Sequence, residues 1–124
     1  MALYQSGEMY LETIYVLAKT ENRIRSLDVA EHMGYSKPSV SRAVKRLRED
    51  GYILMDEDGL LTLTESGAQI AAKIYERHTV LTEILMRIGV DRKTAADDAC
   101  RIEHVISDAA FNAMKQHLAQ HTKG

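Results

Sequence analysis

A thiol, a carboxylate and an imidazole occur together in the segment Cys100–His104, which reads CRIEH. On a helix, residues three and four positions apart are neighbours, so Cys100, Glu103 and His104 are predicted to share one helical face. Sulfur, oxygen and nitrogen donors on one face are typical of a transition-metal site. The alternative is a small buried Cys beside a surface ion pair, because a lone Cys often only fills space in a core. The segment alone leaves both interpretations open.

The composition is that of an ordinary globular chain, with 124 residues, 45% of them hydrophobic and 27% charged. This length allows one good core, or two small lobes that share a long helix. The single Cys excludes an intrachain disulfide and suits a reducing cytoplasm. The sequence has no run of about 18 apolar residues and no basic-then-apolar start. We therefore expect neither a membrane span nor a secretory leader, and a cytoplasmic protein.

The net charge of −2 hides a basic cluster between Lys37 and Arg48. Five basic residues and no acid occur in this stretch, and such a cluster is suited to face phosphates. A merely solvated helix face is the alternative, but that would be expected to carry interspersed acids.

Two predicted helices precede and position the basic cluster. Apolar residues recur at helical spacing over residues 8–19, where Ser6 is the predicted cap. A short second helix is predicted to start with Ser26 as its cap, to direct Leu27 inward and to end at Gly34.

The basic helix itself follows after a very short turn. Ser36 is its predicted cap, Pro38 is tolerated in the first turn, and Gly51 ends it. The apolar runs 52–55 and 60–63 are joined by Asp-Glu-Asp-Gly, which predicts a β-hairpin. A helix-turn-helix followed by a hairpin is a winged DNA-binding arrangement. The acidic tip of the hairpin is expected to stand off from the DNA backbone.

The second half reads as three helices. Their predicted caps are Thr64, Asp91 and Ser107, and the first of these three helices is predicted to run unbroken to Ile88. The tail 119–124 is expected to be loose. Three helices are too few to close a core alone, so we predict a homodimer. The predicted fold is mainly α, with a winged helix-turn-helix and a two-stranded wing in residues 1–72, followed by a helical dimerisation domain in residues 73–124.

Further donor side chains occur outside the CRIEH segment. Met9 and Glu12 lie three residues apart on the first predicted helix, and His78 lies on the fourth. Singly, each has an ordinary explanation as core filling, a solvated charge or a hydrogen-bonded imidazole. Together with Cys100, Glu103 and His104 they match a six-donor site.

Several segments resemble the signature segments of the diphtheria toxin repressor family, in the same order and spacing. They are EMYLETIY at 8–15, RH at 77–78, IGVD at 88–91 and DACRIEHVISD at 98–108. The resemblance implies a repressor of metal-ion homeostasis genes that binds double-stranded operator DNA as a homodimer, with Fe(II) or Mn(II) as co-repressor. Residues 73–124 would then form the metal-binding and dimerisation domain. In length the chain is similar to the short manganese-regulator branch.

The resemblance implies a mixed ligand set. Met9, Cys100, Glu103 and His104 match the primary ligands of the iron-sensing branch, whereas Glu12 and His78 match positions that also serve in the manganese branch. The iron-type ancillary site would need a Glu and a His where this chain has Thr82 and Ala96, and Glu83 is one residue out of place.

The thioether and thiolate favour Fe(II) over Mn(II) because they are soft ligands. Co(II), Ni(II) and Zn(II) are expected to bind in vitro at least as tightly.

The residues predicted to contact DNA lie mainly on the basic helix. Those expected at base edges are Lys37, Pro38, Ser39 and Arg42. Those expected at phosphates are Ser36, Ser41, Lys45 and Arg46, with Arg25 and Ser26 as weaker candidates.

Three alternatives remain open. A metal-independent winged-helix dimer that responds to a small molecule explains residues 26–63 equally well. An enzyme would use Cys100 as nucleophile and His104 as base, but the sequence lacks a Gly-rich oxyanion turn, and we predict no enzyme activity. A simple metal-binding protein would add His117 and His121, which are four residues apart near the chain end.

Overall fold

A computed structural model describes residues 5–122 of the chain. Outside this range lie residues 1–4, where no leader was predicted, and residues 123 and 124, which belong to the predicted loose tail. The described elements are α1 (Gln5–Leu17), α2 (Ser26–Met33), α3 (Lys37–Glu49), β1 (Ile53–Met55), β2 (Leu61–Leu63), α4 (Glu65–Arg87), α5 (Arg92–Ile102) and α6 (Asp108–Thr122). The chain divides into two compact units, Met1–Ala72 and Lys73–Gly124, and the division falls inside α4. The predicted mainly helical fold is confirmed.

The first unit is a helix-turn-helix followed by a wing. Helix α2 ends at Gly34, whose φ of 73° is a left-handed conformation that glycine adopts without strain. Strands β1 and β2 pair antiparallel, with Ile53 opposite Leu63 and Met55 opposite Leu61. The predicted winged helix-turn-helix is therefore confirmed.

A single apolar core holds the elements of this unit together. Each helix contributes the residues of one face, and each strand contributes one inward side chain. Complete burial of a Val, Leu or Ile side chain contributes about 1.5–3 kcal/mol, so this shared core fixes how α3 and the wing are presented. The buried residues are Tyr10, Leu11, Ile14, Ile24, Val29, Ala30, Val40, Val44, Leu47, Ile53, Leu61 and Ala71.

Four of the predicted helix caps are confirmed, because the predicted side-chain oxygen accepts a hydrogen bond from a backbone N–H of the first turn. The pairs are Ser36 with Ser39 at 3.3 Å, Thr64 with Gly67 at 3.1 Å, Asp91 with Thr94 at 3.1 Å, and Ser107 with Ala110 at 3.1 Å.

The predicted caps of the first two helices are wrong. Ser6 lies inside α1, which begins at Gln5. Ser26 is the first residue of α2, and the capping contact is made instead by Asp28, whose Oδ2 accepts the backbone N–H of Arg25 at 2.8 Å. Leu27 was expected to point inward but is 44% exposed.

The other helix boundaries differ from prediction by only a few residues. Helix α1 ends at Leu17, before residue 19, and α4 ends at Arg87, before Ile88. Helix α6 continues to Thr122, so the part of the predicted loose tail that the structure describes is helical.

The second unit buries a small apolar set and leaves other apolar side chains in solvent. Ile74, Leu81 and Phe111 are at most 4% exposed, whereas Ile88 and Val105 are each 73% exposed. Large apolar side chains left in solvent are suited to contact another protein surface. Within residues 5–122, no helix combines the length and the apolarity that crossing a membrane requires.

Candidate metal centre and nucleic-acid interface

The segment 100–104 extends across the end of α5. Helix α5 stops at Ile102, so the prediction that all three donors share a regular helical face is wrong for His104, which lies in the following turn. Glu103 keeps helical angles (φ −58°, ψ −25°), and its N–H donates to the carbonyl of Ala99 at 2.9 Å. After Ile102 the backbone tightens into a turn, in which the N–H of Val105 donates to the carbonyl of Ile102, three residues back, at 3.0 Å.

The Glu103 carboxylate lies between two imidazole rings. Its Oε2 is 2.9 Å from Nδ1 of His78 on α4, and its Oε1 is 3.4 Å from Nε2 of His104. One donor atom each from His78, Cys100 and Glu103 lie within 4.8 Å of one another. Helix α4 and the end of α5 thus bring nitrogen, sulfur and oxygen donors together, although His78 and Glu103 are 25 residues apart in sequence.

These three residues fit a divalent metal ion. Metal–ligand bonds to His, Cys and carboxylate are about 2.0–2.3 Å, so ligands of one ion lie within about 4.5 Å of each other, close to the spread observed here. The Glu103 side chain is fully buried and His78 is 27% exposed, while Cys100 is exposed. A buried carboxylate needs a compensating positive charge, and an open thiol gives an ion a route into the cluster.

Met9 and Glu12 lie on α1 in the first unit, where both are half-buried. The backbone carbonyl of Met9 accepts the Thr13 hydroxyl at 2.9 Å. Thr13 is itself buried beside Ile14 and Leu11 in the core. The core of the first unit therefore fixes the segment of α1 that carries the two predicted ligands.

The positions of the iron-type ancillary site hold other interactions. The Thr82 hydroxyl donates to the carbonyl of His78 at 2.7 Å. Glu83 accepts from Nε of Arg87 at 2.9 Å. Ala96 has no donor atom in its side chain. In the turn of α4 after His78, the side chains of Thr82 and Glu83 thus make hydrogen bonds within the same helix.

Helix α3 has one buried and one solvent-facing side. Val40, Val44 and Leu47 are at most 3% exposed and pack into the core. The predicted DNA contacts on this helix and its cap face solvent, except for Ser39, which is half-buried; they are Ser36, Lys37, Pro38, Ser39, Ser41, Arg42, Lys45 and Arg46. This separation is what a helix that enters a DNA groove requires.

The cap of α3 also organises its neighbours. The Ser36 hydroxyl donates to Oγ of Ser39 at 2.8 Å, and Nη2 of Arg42 donates to the same Oγ at 3.4 Å. These bonds orient the exposed Arg42 guanidinium along the first turn of the helix, where base contacts are expected.

The weaker DNA candidates lie at the start of α2. Arg25 is exposed and Ser26 is half-buried. Nε of Arg25 donates to the carbonyl of Asp58 in the wing turn at 3.1 Å. The same turn is closed by Oδ1 of Asp56, which accepts the N–H of Asp58 and of Leu60, each at 2.9 Å. Arg25 therefore contacts the acidic tip directly.

Two residues with site contacts were not predicted from the sequence. Arg77, next to His78, is buried and donates to the backbone of the turn that carries Glu103. Its signal in the sequence is a charge in the apolar stripe between Ile74 and Leu81. Tyr35 is 45% exposed beside the α3 cap, and its ring meets that of Tyr10 edge-on, with centroids 6.1 Å apart.

The remaining histidine pair lies on α6. The rings of His117 and His121 are stacked with centroids 4.0 Å apart, and Nδ1 of His121 lies 2.9 Å from the carbonyl of His117. Both residues are exposed, and they lie on a helix separate from the donors of the CRIEH segment.

Comparison with known families matches almost the whole chain. Residues 2–62 match the model described as "Iron dependent repressor, N-terminal DNA binding domain". Residues 64–123 match "Iron dependent repressor, metal binding and dimerisation domain".

Individual relatives are similar over most of this chain. An HTH-type transcriptional regulator of Methanocaldococcus jannaschii is 35% identical over 113 residues, 90% of each chain. The diphtheria toxin repressor of Corynebacterium diphtheriae is 36% identical over 107 residues, which cover 86% of this chain but 47% of the repressor. The regulator MntR of Lysinibacillus sphaericus is 34% identical over 102 residues, 82% of this chain and 73% of MntR.

Solved structures share the fold. A manganese-dependent transcriptional repressor in complex with manganese superposes with a TM-score of 0.83 at 27% identity, covering 91% of this chain and 52% of the repressor. The manganese regulator SloR superposes with a TM-score of 0.82 at 28% identity, covering 96% of this chain and 55% of SloR. The chain therefore spans about half the length of these two structures.

Proposed function

Because this chain belongs to the iron-dependent repressor family, we propose that it represses transcription by binding double-stranded operator DNA as a homodimer when it holds a divalent metal ion. Fe(II) is the proposed co-repressor, with Mn(II) as the second candidate, and control of metal-ion homeostasis is the proposed role. The observation that supports this most strongly is the approach of His78, Cys100 and Glu103 donor atoms to within 4.8 Å.

The proposed metal preference rests on the exposed thiol. Cys100 supplies a sulfur ligand beside the imidazole of His78 and the carboxylate of Glu103. Thiolate ligands favour Fe(II) over Mn(II), and Co(II), Ni(II) and Zn(II) are expected to bind in vitro as well. When bound, the ion supplies the positive charge that a buried carboxylate requires.

The rest of the ligand set is proposed from position and residue type. His104 has a fully buried side chain next to Glu103, and we assign it as a further nitrogen donor. Met9 and Glu12, both half-buried on α1, are the proposed ligands from the first unit. Since the first unit carries the DNA-reading helix, a ligand set drawn from both units would make operator binding depend on the metal.

The proposed DNA contacts follow the exposed face of α3. Arg42 is proposed to read guanine, and Lys37, Pro38 and Ser39 to meet neighbouring base edges. The phosphate contacts are assigned to Ser36, Ser41, Lys45 and Arg46. Ser26 remains a weaker phosphate candidate, as does Arg25, which already donates to the wing.

The second unit is proposed to form the dimer. Ile88 and Val105 are each 73% exposed and Met114 is 37% exposed, and the matched domain is described as one of metal binding and dimerisation. Cys100 is proposed as a ligand and not as a nucleophile, since the relatives are transcriptional regulators. A cytoplasmic location follows from that role.

Anaerobic operator binding tests the proposal. Operator DNA would first be selected from random sequences with the Fe(II)-loaded protein, and binding then followed by fluorescence anisotropy without metal, with Fe(II) and with Mn(II). We expect binding only with metal, and tighter binding with Fe(II). Cys100→Glu should move the preference towards Mn(II), because a carboxylate replaces the soft ligand.

The matched control is Asp97→Asn, an exposed position of α5 whose Oδ2 accepts from Nζ of Lys93 at 3.5 Å. This variant should retain the wild-type preference. Equal operator affinity with and without metal would contradict the proposal and favour the metal-independent repressor.

A further inference from the structure

Arg77 is a buried charge in the middle of the apolar face of α4. It is 6% exposed, and the residues one turn before and one turn after it, Ile74 and Leu81, are 3% and 2% exposed. A guanidinium at such a position is strongly unfavourable unless hydrogen bonds and an opposite charge compensate it. The contacts of Arg77 therefore identify the groups that compensate its buried charge.

The Arg77 guanidinium holds the turn between α5 and α6. Its Nη1 donates to the carbonyl of Glu103 at 3.1 Å and to the carbonyl of Ile106 at 2.8 Å. Its Nη2 donates to Oδ1 of Asp108, in the first turn of α6. The guanidinium carbon lies 5.5 Å from the centroid of the Phe111 ring. One side chain thus ties α4 to both ends of the turn.

These bonds replace the ones that a longer α5 would have made. In a continuing helix the carbonyl of Glu103 would accept an N–H four residues later, which is that of Ser107. Ser107 instead caps α6, where its hydroxyl accepts the N–H of Ala110 at 3.1 Å. Arg77 satisfies the carbonyl left over at the end of α5, and so stabilises the turn that carries His104.

Glu103 is contacted at two points by consecutive residues of α4. Arg77 binds its backbone carbonyl at 3.1 Å, and His78 lies 2.9 Å from its Oε2. Arg77 contacts the backbone of Glu103 and His78 contacts its carboxylate, so the two residues hold Glu103 by different groups. We propose that Arg77 is a positioning residue of the metal centre, which fixes the backbone of residues 103–106 and so directs the Glu103 and His104 side chains at the ion.

The proposal rests on the proposed function, in that Glu103 and His104 act as ligands. It also explains why this position carries Arg. A guanidinium is a planar fork with five N–H donors and can bind two carbonyls and a carboxylate together, whereas an ammonium cannot reproduce that geometry. Asp108 supplies the negative charge opposite Arg77. Hydrogen bonds from Lys73 and Arg77 lower the pKa of the Asp108 carboxyl, which favours its charged form.

The test compares Arg77→Met and Arg77→Lys with the wild-type full-length chain in an anaerobic Co(II) titration. Co(II) reports the thiolate through a charge-transfer band and the whole ligand set through its d–d bands. We expect the Co(II) affinity to fall about 10- to 100-fold, as for other residues that orient metal ligands. At saturation the thiolate band of Cys100 should remain while the d–d bands change, because Glu103 and His104 are displaced.

Lys115→Met is the matched control. Lys115 on α6 donates to Glu76 on α4 at 2.7 Å, so the variant also removes an ion pair between these two helices but leaves the turn untouched. Its Co(II) affinity and d–d bands should equal those of the wild type. Thermal unfolding of each metal-free variant shows whether the fold is retained.

The outcomes separate the two proposals. A wild-type chain with no thiolate band on Co(II) addition would refute the proposed ligand set itself. If the wild-type chain binds Co(II) through the thiolate, and both Arg77 variants show the wild-type affinity and d–d bands, the positioning role is overturned and the proposed function stays intact. A loss of affinity with wild-type d–d bands at saturation would also overturn it, because that result indicates general instability. If Arg77→Met does not fold, Arg77→Lys decides by the same two readouts.

Discussion

Replacement of Gly67 by Ala should destabilise the first unit, although Gly-to-Ala changes in helices normally stabilise. At an ordinary helix position the change gains about 1 kcal/mol. A Cβ at Gly67 would lie 2.2 Å from the carbonyl oxygen of Tyr52, roughly 1 Å inside the closest usual carbon–oxygen contacts. That carbonyl is held in place, because it accepts the N–H of Thr64 at 3.0 Å.

The start of α4 must therefore shift away from residue 52, and backbone shifts of this kind cost about 1–3 kcal/mol or more. The 2.2 Å approach places the cost in the upper part of this range, so after the helix gain of about 1 kcal/mol the net expectation is a loss of about 1–2 kcal/mol in the free energy of unfolding. Urea denaturation followed by circular dichroism measures it. Ser66→Ala, an exposed position in the same turn, is the control and should change stability by only a few tenths of a kcal/mol. A Gly67→Ala chain as stable as the wild type, or more so, would refute the reasoning.

Three further predictions concern the DNA-reading side of the first unit. Ser36→Ala should lower the free energy of unfolding by about 1 kcal/mol, because the helix cap is lost, and urea denaturation measures this. Ser36→Asp should retain the stability but weaken operator binding, since a carboxylate would face phosphates. Undiminished operator binding by Ser36→Asp would contradict the phosphate assignment. Arg42→Ala should alter sequence preference in a binding-site selection, while Lys45→Ala should weaken all sites alike and reduce the salt slope by about 1; identical effects of both would contradict the assigned roles. Burial, reinforced by Tyr35 and opposed by Arg42, raises the pKa of Tyr10 above its ordinary value of 10.0. The folded chain therefore keeps a proton that the unfolded chain releases, and the free energy of unfolding should fall as the pH rises above about 10. Tyr10→Phe should reduce this fall, and an unchanged pH profile of stability would contradict the role of Tyr10.

Features of the fold that depend on neighbouring residues were predictable from the sequence. Ser36 and Thr64 were correctly predicted as caps because a cap and its N–H partner lie three residues apart. Ser26 was a wrong prediction because it is the first residue of α2: Arg25 is at the cap position, and Asp28 accepts the backbone N–H of Arg25. A shift of one residue in the start of a helix is a difference that the sequence pattern does not resolve.

Features of the site that depend on distant residues were less predictable. The spacing of Cys100 and Glu103 indicated a shared face, and both lie in the observed cluster with His78. The end of α5 at Ile102 was not predicted, and the carbonyl of Glu103 just after it accepts a hydrogen bond from Arg77 of another helix, a contact that the sequence does not reveal. A side chain 26 residues away in sequence thus contacts the turn in which His104 lies.

The two-sided character of α3 has an evolutionary consequence. The inward residues Val40, Val44 and Leu47 supply its share of the core, whereas the outward residues Arg42 and Lys45 are exposed. Changes on the outward side therefore leave folding largely untouched. A duplicated gene encoding this chain could drift towards a new target sequence through a few surface substitutions, while both copies keep the same architecture.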